Sequence, residues 1–477
     1  MNKDLMIIIG GRVLQIIIML ISIRLLTTFL TPEEVGNYYI ILALLAFFNL
    51  VLLNPPGMYF SRHVLHWQKS KNLLNAISIF IVWIIIVAFV SVPISTSIYY
   101  YLGYETKFSL DLFLIYIFIA ILISTIHRNV MGGSNMLGYR KEFVVFLIST
   151  LVIGLICSVS IVYFYYNFAI GWLIGIVLSE ALMLSIIFNF FIQKNKLDIN
   201  IIKITLTKER IKKILVFSLP IGLTTFLMWG QNTAYRFLVD YQYSAEVLGY
   251  VAVGLGISTA VFGAIESISM QYFSPIFLKK IHNATKEKRA EAWNDISRQI
   301  VPIYILAAFF TIAMSEVLIN ILVDKKFHDS YIYTMFGVGI EFFRVMTNSL
   351  NSISQSEYKT TSTIVPYFVG FVVSLGLLSS IDFGTNYFMI PLVLGIAYFL
   401  VFIYMYYNMK KLLEIKYDIQ LFKIIFFAMP FFMVYVIDVS DLNILYNLAV
   451  ISLFGLYFLF IVWLVIKKDI KNVKTNS

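Results

Sequence analysis

The chain has 477 residues, 60% of them hydrophobic and only 13% charged, with 36 Lys and Arg against 26 Asp and Glu. A soluble domain is nearer half apolar and a quarter charged, so this composition excludes an ordinary soluble enzyme and calls for an apolar solvent around the protein. The formal charge of +10 does not point to nucleic acid, because the basic residues fall in short loops between apolar runs, where membrane orientation accounts for them.

Runs long enough for a bilayer core of roughly 30 Å recur along the whole chain. Lipid offers no partner to unpaired backbone, so these runs must be helices. The pattern predicts an all-α integral membrane protein with about fourteen transmembrane helices. The first span, 5–29, carries Arg12, Gln15 and Arg24. No small-residue cleavage site follows it, so it is expected to remain as a helix. Spans follow at 37–60, 75–102, 110–130, 143–166 and 169–193, the last with the lone acid Glu180. His63 and His66 are placed in a basic loop without acidic or Cys companions, and no metal site or cofactor is expected. A basic loop at 194–213 separates these spans from the rest.

The seventh span, 214–237, aligns Ser218, Thr225, Trp229, Asn232 and Arg236 on one face. In the eighth, 247–274, Thr259, Gly263, Glu266 and Ser269 share a side. The ninth, 299–323, holds the lone acid Glu316. The tenth, 331–353, is polar enough that hydropathy alone would pass over it. Its Glu341, Arg344, Asn348, Asn351, Ser352 and Gln355 fall within roughly 100° of the helix circumference. Spans at 363–381, 386–408, 421–437 and 444–466 complete the chain, and the last two carry almost no internal polarity.

Lys and Arg distribution fixes an expected orientation. The loops placed outside hold only Lys107, Lys325 and Lys326; Arg12, Arg24, Arg236 and Arg344 lie within spans, and the remainder fall in the segments placed inside. Both termini are therefore expected in the cytoplasm. An internal repeat is also visible. Arg24, Leu26, Glu34, Val35 and Tyr38 fall at a constant offset from Arg236, Leu238, Glu246, Val247 and Tyr250. Phe60-Ser61 pairs with Phe273-Ser274, and Tyr139-Arg140 with Tyr358-Lys359. Six spans per copy makes the repeat parallel. The expected organisation is an N-lobe at 1–193, a cytoplasmic linker at 194–213, a C-lobe at 214–408 with a cleft between the lobes, and two added helices plus a tail at 409–477.

Ionisable groups in mid-membrane cost roughly 2.5 kcal/mol or more each, so their positions are the best functional signal. Interhelical hydrogen bonding is the plain reading of a lone acid such as Glu180 or Glu316. Arg24 and Arg236, near span ends, can also snorkel. Six polar groups on the tenth span exceed what one helix contact needs. Arg12, Gln15, Arg24, Asn232, Arg236, Arg344, Asn348 and Asn351 are the candidates for binding an anionic, sugar-bearing ligand. Glu266, Glu341, Glu316 and Glu180 are the ion-coupling candidates, on burial alone. There is no G-x-x-x-x-G-K-[ST] loop, so direct use of ATP is not expected.

The stretch Leu30-Thr31-Pro32-Glu33-Glu34-Val35-Gly36-Asn37-Tyr38 resembles the polysaccharide-export branch of the multidrug/oligosaccharidyl-lipid/polysaccharide exporter superfamily, its O-antigen and capsule repeat-unit flippases above all. Phe217-Ser218-Leu219-Pro220, followed by Arg236 and Ser244 to Tyr250, resembles the second-lobe counterpart. The resemblance implies a non-enzymatic flippase for undecaprenyl-pyrophosphate-linked oligosaccharide in the bacterial cytoplasmic membrane. It further implies alternating access, coupling to an ion gradient, and partnership with membrane lipids and a glycan polymerase or chain-length regulator. A drug or cation antiporter of the same superfamily would favour an acidic or aromatic cavity. A membrane glycan polymerase or ligase usually needs a sizeable outside loop, and the outside loops here are about five to ten residues long.

Overall fold

A computed structural model describes residues 3–70, 72–195, 207–418, 423–437 and 443–475. Most of the 194–213 linker, with Lys196 and Lys203, and the opening of the 421–437 span lie outside the described residues. Twelve helices among the described residues are long and apolar enough to cross a membrane. The two further spans read from the sequence correspond to a polar helix, Tyr331–Ser356, and a short apolar one, Ile424–Val436.

Residues 1–248 form one compact unit. It contains α1 (Lys3–Phe29), α2 (Pro32–Phe47), α3 (Asn54–Lys69), α4 (Leu73–Tyr101), α5 (Leu110–Met136), α6 (Arg140–Phe164), α7 (Ala169–Asn195), α8 (Lys208–Asn232) and α9 (Tyr235–Gln242). Between α2 and α3 the chain widens into a π-helical turn, Phe48–Leu53, immediately before Asn54-Pro55-Pro56. Pro55 and Pro56 lack the N–H groups that a continuing α-helix would bond, which accounts for a break in the ladder there. The unit extends past the 194–213 loop to take in the seventh span, itself interrupted at Thr233.

The motif opening α2 is legible as local chemistry. Thr31 caps the helix by accepting from the Glu34 N–H at 3.3 Å, and Pro32 takes the first helical position, where a missing N–H costs nothing. The Glu34 carboxylate accepts from Asn37 at 3.0 Å and from the Ala169 N–H, at the start of α7, at 2.7 Å. Gly36 lies so close to the Ala245 carbonyl that a methyl there would overlap it. The second repeat copy opens the same way, with Ser244 accepting from the Val247 N–H at 3.2 Å.

An ion pair ties α9 to the loop between α4 and α5: Lys107 Nζ lies 2.5 Å from Asp240 Oδ1, whose side chain is 3% exposed. Burial, and then the Asp240 charge, push the neighbouring Tyr104 phenol well above its ordinary range. A carboxylate this buried is held by its partner, and removing one member of such a pair costs about 3–5 kcal/mol. Lys107→Ala should therefore lower the thermal unfolding midpoint clearly, and adding Asp240→Asn should restore most of it. Equal midpoints for Lys107→Ala and wild type would dispose of the clasp.

Residues 249–477 form the second unit. Its helices are most of α10 (Ala245–Ile281), then α11 (Lys286–Ala313), α12 (Ser315–Leu322), α13 (Tyr331–Ser356), α14 (Ile364–Ser380), α15 (Met389–Leu412), α16 (Ile424–Ala428) and α17 (Ile444–Thr475). The segment left between the eighth and ninth spans, 275–298, is largely helix, because α10 continues to Ile281 and α11 starts at Lys286. Lys, Glu, Arg and Ala are strong helix formers, so the helices outrun their apolar stretches. His63 and His66 likewise sit on a helix, α3, and not in a loop. The ninth span is two helices broken at Met314, with Glu316 in the first turn of α12.

α10 and α13 advance in the same direction and touch closely. Ser258 Oγ donates to the Thr334 carbonyl at 2.7 Å, and Thr334 Oγ1 donates to the Gly254 carbonyl at 3.0 Å. A Cβ on Gly337 would stand 2.7 Å from Ser258 Oγ. Small and hydroxylated residues at such a contact let two membrane helices approach and bond across it. Further along the same contact lie Glu266 and Arg344.

Candidate functional site

The polar stripe on α13 meets the polar side of α10 in a closed network. Arg344 Nε donates to Glu341 Oε2 at 2.7 Å, and its Nη1 donates to Glu266 Oε2 at 2.9 Å. Asn348 Nδ2 donates to Glu266 Oε1 at 2.8 Å, and Thr259 Oγ1 to Glu341 Oε1 at 2.8 Å. Each carboxylate thus has both oxygens engaged, and the planar guanidinium serves two acids from two helices, as its fork geometry allows. The side chains are sequestered: Arg344 is 22% exposed, Glu266 18% and Glu341 7%. With all three ionised, two carboxylates against one guanidinium leave a net charge of −1.

Three phenols accompany this cluster. Tyr304 on α11 and Tyr367 on α14 lie within electrostatic reach of Glu266 and Arg344, and Tyr398 on α15 within reach of Arg344. All three rings are buried. Composition already shows a chain rich in Tyr, but nothing in the local sequence marks these three against the others. The structure therefore brings together Glu266, Glu341, Arg344 and Asn348 from the predicted set. Asn351, one turn on, accepts from Ser354 Oγ at 2.7 Å and lies outside the cluster's hydrogen bonds.

The first unit holds the remaining cations. Arg236 on α9 packs its guanidinium 5.0 Å from the Tyr39 ring centre and 5.9 Å from that of Tyr235. Its Nη1 donates to the Tyr39 carbonyl at 3.4 Å, while its buried Nε has no protein partner. Among the described residues Arg236 has no carboxylate partner. Gln231, 1% exposed on α8, has an amide whose nitrogen and oxygen also lack protein partners, a residue that sequence reasoning passed over. Its neighbour Trp229 donates from Nε1 to the Ala43 carbonyl at 2.9 Å. Asn232 lies at the end of α8, beside that buried amide.

On α1, Arg12 Nη1 donates to Gln15 Oε1 at 2.8 Å, so these two predicted residues do meet. Arg24 lies further along α1, where its carbonyl accepts from Thr27 and Thr28. Glu180 on α7 accepts from the Ser124 hydroxyl of α5, with Arg128 within electrostatic reach. Glu316 lies in the first turn of α12.

Comparison with known proteins fits this architecture. Solved structures that the chain resembles include the lipid II flippase MurJ in an inward closed conformation, at a TM-score of 0.71 and 15% identity, covering 98% of this chain and 99% of that one. An inward-facing multidrug resistance MATE family transporter of the MOP superfamily matches at 0.61 and 12%, covering 86% and 99%. The eukaryotic MATE transporter AtDTX14 matches at 0.57 and 13%, covering 90% and 98%. At these identities the likeness establishes the fold. No curated protein matches the sequence significantly. A family model described as polysaccharide biosynthesis protein matches residues 18–332. With about two thirds of its length under that model, the chain belongs to the polysaccharide biosynthesis protein family.

Proposed function

We propose that the protein is a flippase that moves an undecaprenyl-pyrophosphate-linked oligosaccharide, an O-antigen, capsule or exopolysaccharide repeat unit, across the bacterial cytoplasmic membrane by alternating access. Both termini face the cytoplasm, residues 1–193 and 214–408 act as the two lobes, and the last two helices are peripheral. A glycan polymerase or chain-length regulator receives the product. The observation that carries this reading is Arg236: a cation held by an aromatic face and a carbonyl, with no carboxylate partner among the described residues. Such a group suits a pyrophosphate, whose oxygens accept charge-assisted hydrogen bonds. Arg12 and Gln15 supply a second polar pair of the same kind, and Arg24, Asn232 and Asn351 extend the polar surface.

The family match supports a role in glycan assembly. The α10–α13 network supports ion coupling, since a cluster with a net negative charge has a place for a proton or a small cation; Glu266 and Glu341 are the coupling groups, with Glu180 and Glu316 as secondary candidates.

In cells lacking the gene, lipid-linked repeat units should accumulate on the cytoplasmic leaflet while their synthesis continues. Normal export without a second flippase would end the proposal. Arg236→Ala should remove most transport without loss of protein from the membrane, and Arg236→Lys should keep part of it. Full export by Arg236→Ala would return the residue to a packing role against Tyr39.

One observation favours a second reading. Arg344, expected to receive an anion, is neutralised by two acids and has three buried phenols within electrostatic reach. That environment suits an organic cation exchanged against protons, as in a drug antiporter. Proteoliposomes that expel ethidium down an imposed proton gradient, and stop doing so in Glu266→Gln, would select it; vesicles that flip the lipid-linked glycan and ignore ethidium would select the first.

A further inference from the structure

A cavity of about 330 Å³ opens in the first unit where α3, the start of α4 and the start of α8 meet. Its size falls in the range of small-molecule sites. Tyr59, Phe60 and Trp67 line it from α3. Tyr59 and Trp67 belong to a ladder through His63, with ring centres 4.4 Å apart at the first step and 5.4 Å at the second. Spacing of four residues puts all three rings on one helix face. Asn72 and Asn75 add amides, and Arg210 and Lys213 of α8 add two cations. No function assigned above uses this cavity.

A second cavity of about 390 Å³ lies against the other side of the same wall, sharing Phe60 and Trp67. Its lining is different in kind: Ile77, Ile81, Ile84 and Ile126 make it apolar, with Arg128 among its polar residues. An aromatic platform with amides and cations on one side, and an aliphatic chamber on the other, matches an amphiphile whose head is a phosphorylated sugar. Sugar rings present C–H faces that pack on aromatic rings while their hydroxyls bond to amides, and phosphate oxygens take Arg and Lys donors. The apolar chamber accepts the first units of a hydrocarbon chain.

We infer that this end of the first unit is a capture site for a polyprenyl-phosphate-linked sugar, distinct from the α10–α13 network and from Arg236. The inference rests on the flippase reading and deepens it. In the orientation proposed above, the basic loops put this end at the cytoplasmic face, where the lipid-linked sugar is made. The site collects the substrate before it enters the transport route, with the sugar on Tyr59 and Trp67, the phosphates at Arg210 and Lys213, and the chain beside Ile77 and Ile81.

The test uses the full chain in nanodiscs, with citronellyl-pyrophosphoryl-N-acetylglucosamine as probe and binding read by calorimetry. The probe should bind, and Trp67→Ala and the Arg210→Gln/Lys213→Gln pair should each weaken it by about tenfold. Trp67→Phe, which keeps an aromatic ring, should bind nearly as wild type and shows that the site still folds. N-acetylglucosamine 1-phosphate, lacking the chain, and geranyl pyrophosphate, lacking the sugar, should both bind at least about tenfold more weakly. Equal affinity for geranyl pyrophosphate would reduce the site to a prenyl-anion pocket and overturn the inference. So would full displacement by phosphatidylglycerol, which would make it an ordinary lipid headgroup site, or unchanged affinity in the variants. Flipping is measured separately in vesicles. Wild-type flipping with unaltered substrate dependence in the variants sinks the capture site alone; binding without any flipping by the wild type sinks the flippase reading alone.

Discussion

Arg344→Ala should abolish transport and destabilise the protein by about 3–5 kcal/mol, the cost of removing one partner from a buried charge cluster. The reason is the geometry on α13 and α10. Arg344 donates to Glu341 from Nε and to Glu266 from Nη1, so its loss leaves two carboxylates facing one another in a poorly hydrated interior. Arg344→Lys should recover only part of both losses, because one ammonium cannot reproduce the fork that spans two acids. The informative comparison is the apolar triple variant Glu266→Leu/Glu341→Leu/Arg344→Met. Replacing a whole buried ion cluster by well-packed apolar residues of similar volume is often close to neutral for stability. The triple variant should therefore unfold near the wild-type temperature yet fail to transport. Thermal unfolding in detergent and flipping in proteoliposomes separate the two effects. A triple variant with full transport would show that the cluster only holds α10 and α13 together.

How far such a site could be read from the chain depends on how local its contacts are. Glu341 and Arg344 stand three residues apart, and the helical period alone put them on one face. The partners from α10 could not be placed the same way, since the offset between two helices distant in sequence is set by packing. The clue was present in Gly254, Ser258 and Gly337, whose small side chains mark a close helix contact, but they name no partner. Arg236 was visible as the repeat counterpart of Arg24, whereas its seat on Tyr39 joins residues almost two hundred positions apart. Hydropathy located the apolar spans well because the bilayer imposes their length. It missed the charged continuations of α10 and α11, which are helical by propensity rather than by burial. The π-turn at Phe48–Leu53 and the short helix of Ile424–Val436 depend on backbone geometry that composition does not encode.

The second large effect is expected at Gly254. A Cβ there would overlap the Ser330 carbonyl and stand 2.6 Å from Tyr333 Cβ and 3.0 Å from the Thr334 nitrogen. Two of those neighbours are backbone atoms, one in α13 and one in the Ser330 cap that precedes it, and they cannot swing aside as a flexible side chain would. Gly254→Val must therefore push α10 and α13 apart. That breaks the exchange between Ser258, Thr334 and the Gly254 carbonyl, and shifts Thr259 and Glu266 away from Glu341 and Arg344. Overpacking alone typically costs about 1–3 kcal/mol, and exposing partners of the charge cluster adds to it. Gly263, on the same helix, provides the control, because a Cβ there meets no atom within 4 Å. Gly263→Ala should leave stability unchanged or raise it by up to about 1 kcal/mol, since alanine favours helix over glycine. A Gly254→Val protein that unfolds with Gly263→Ala, and flips as fast, would mean that α10 and α13 do not need their close contact to keep Glu266 against Arg344. If the contact is needed, transport should fall further in Gly254→Val than its stability loss explains, because the cluster is displaced even in molecules that stay folded.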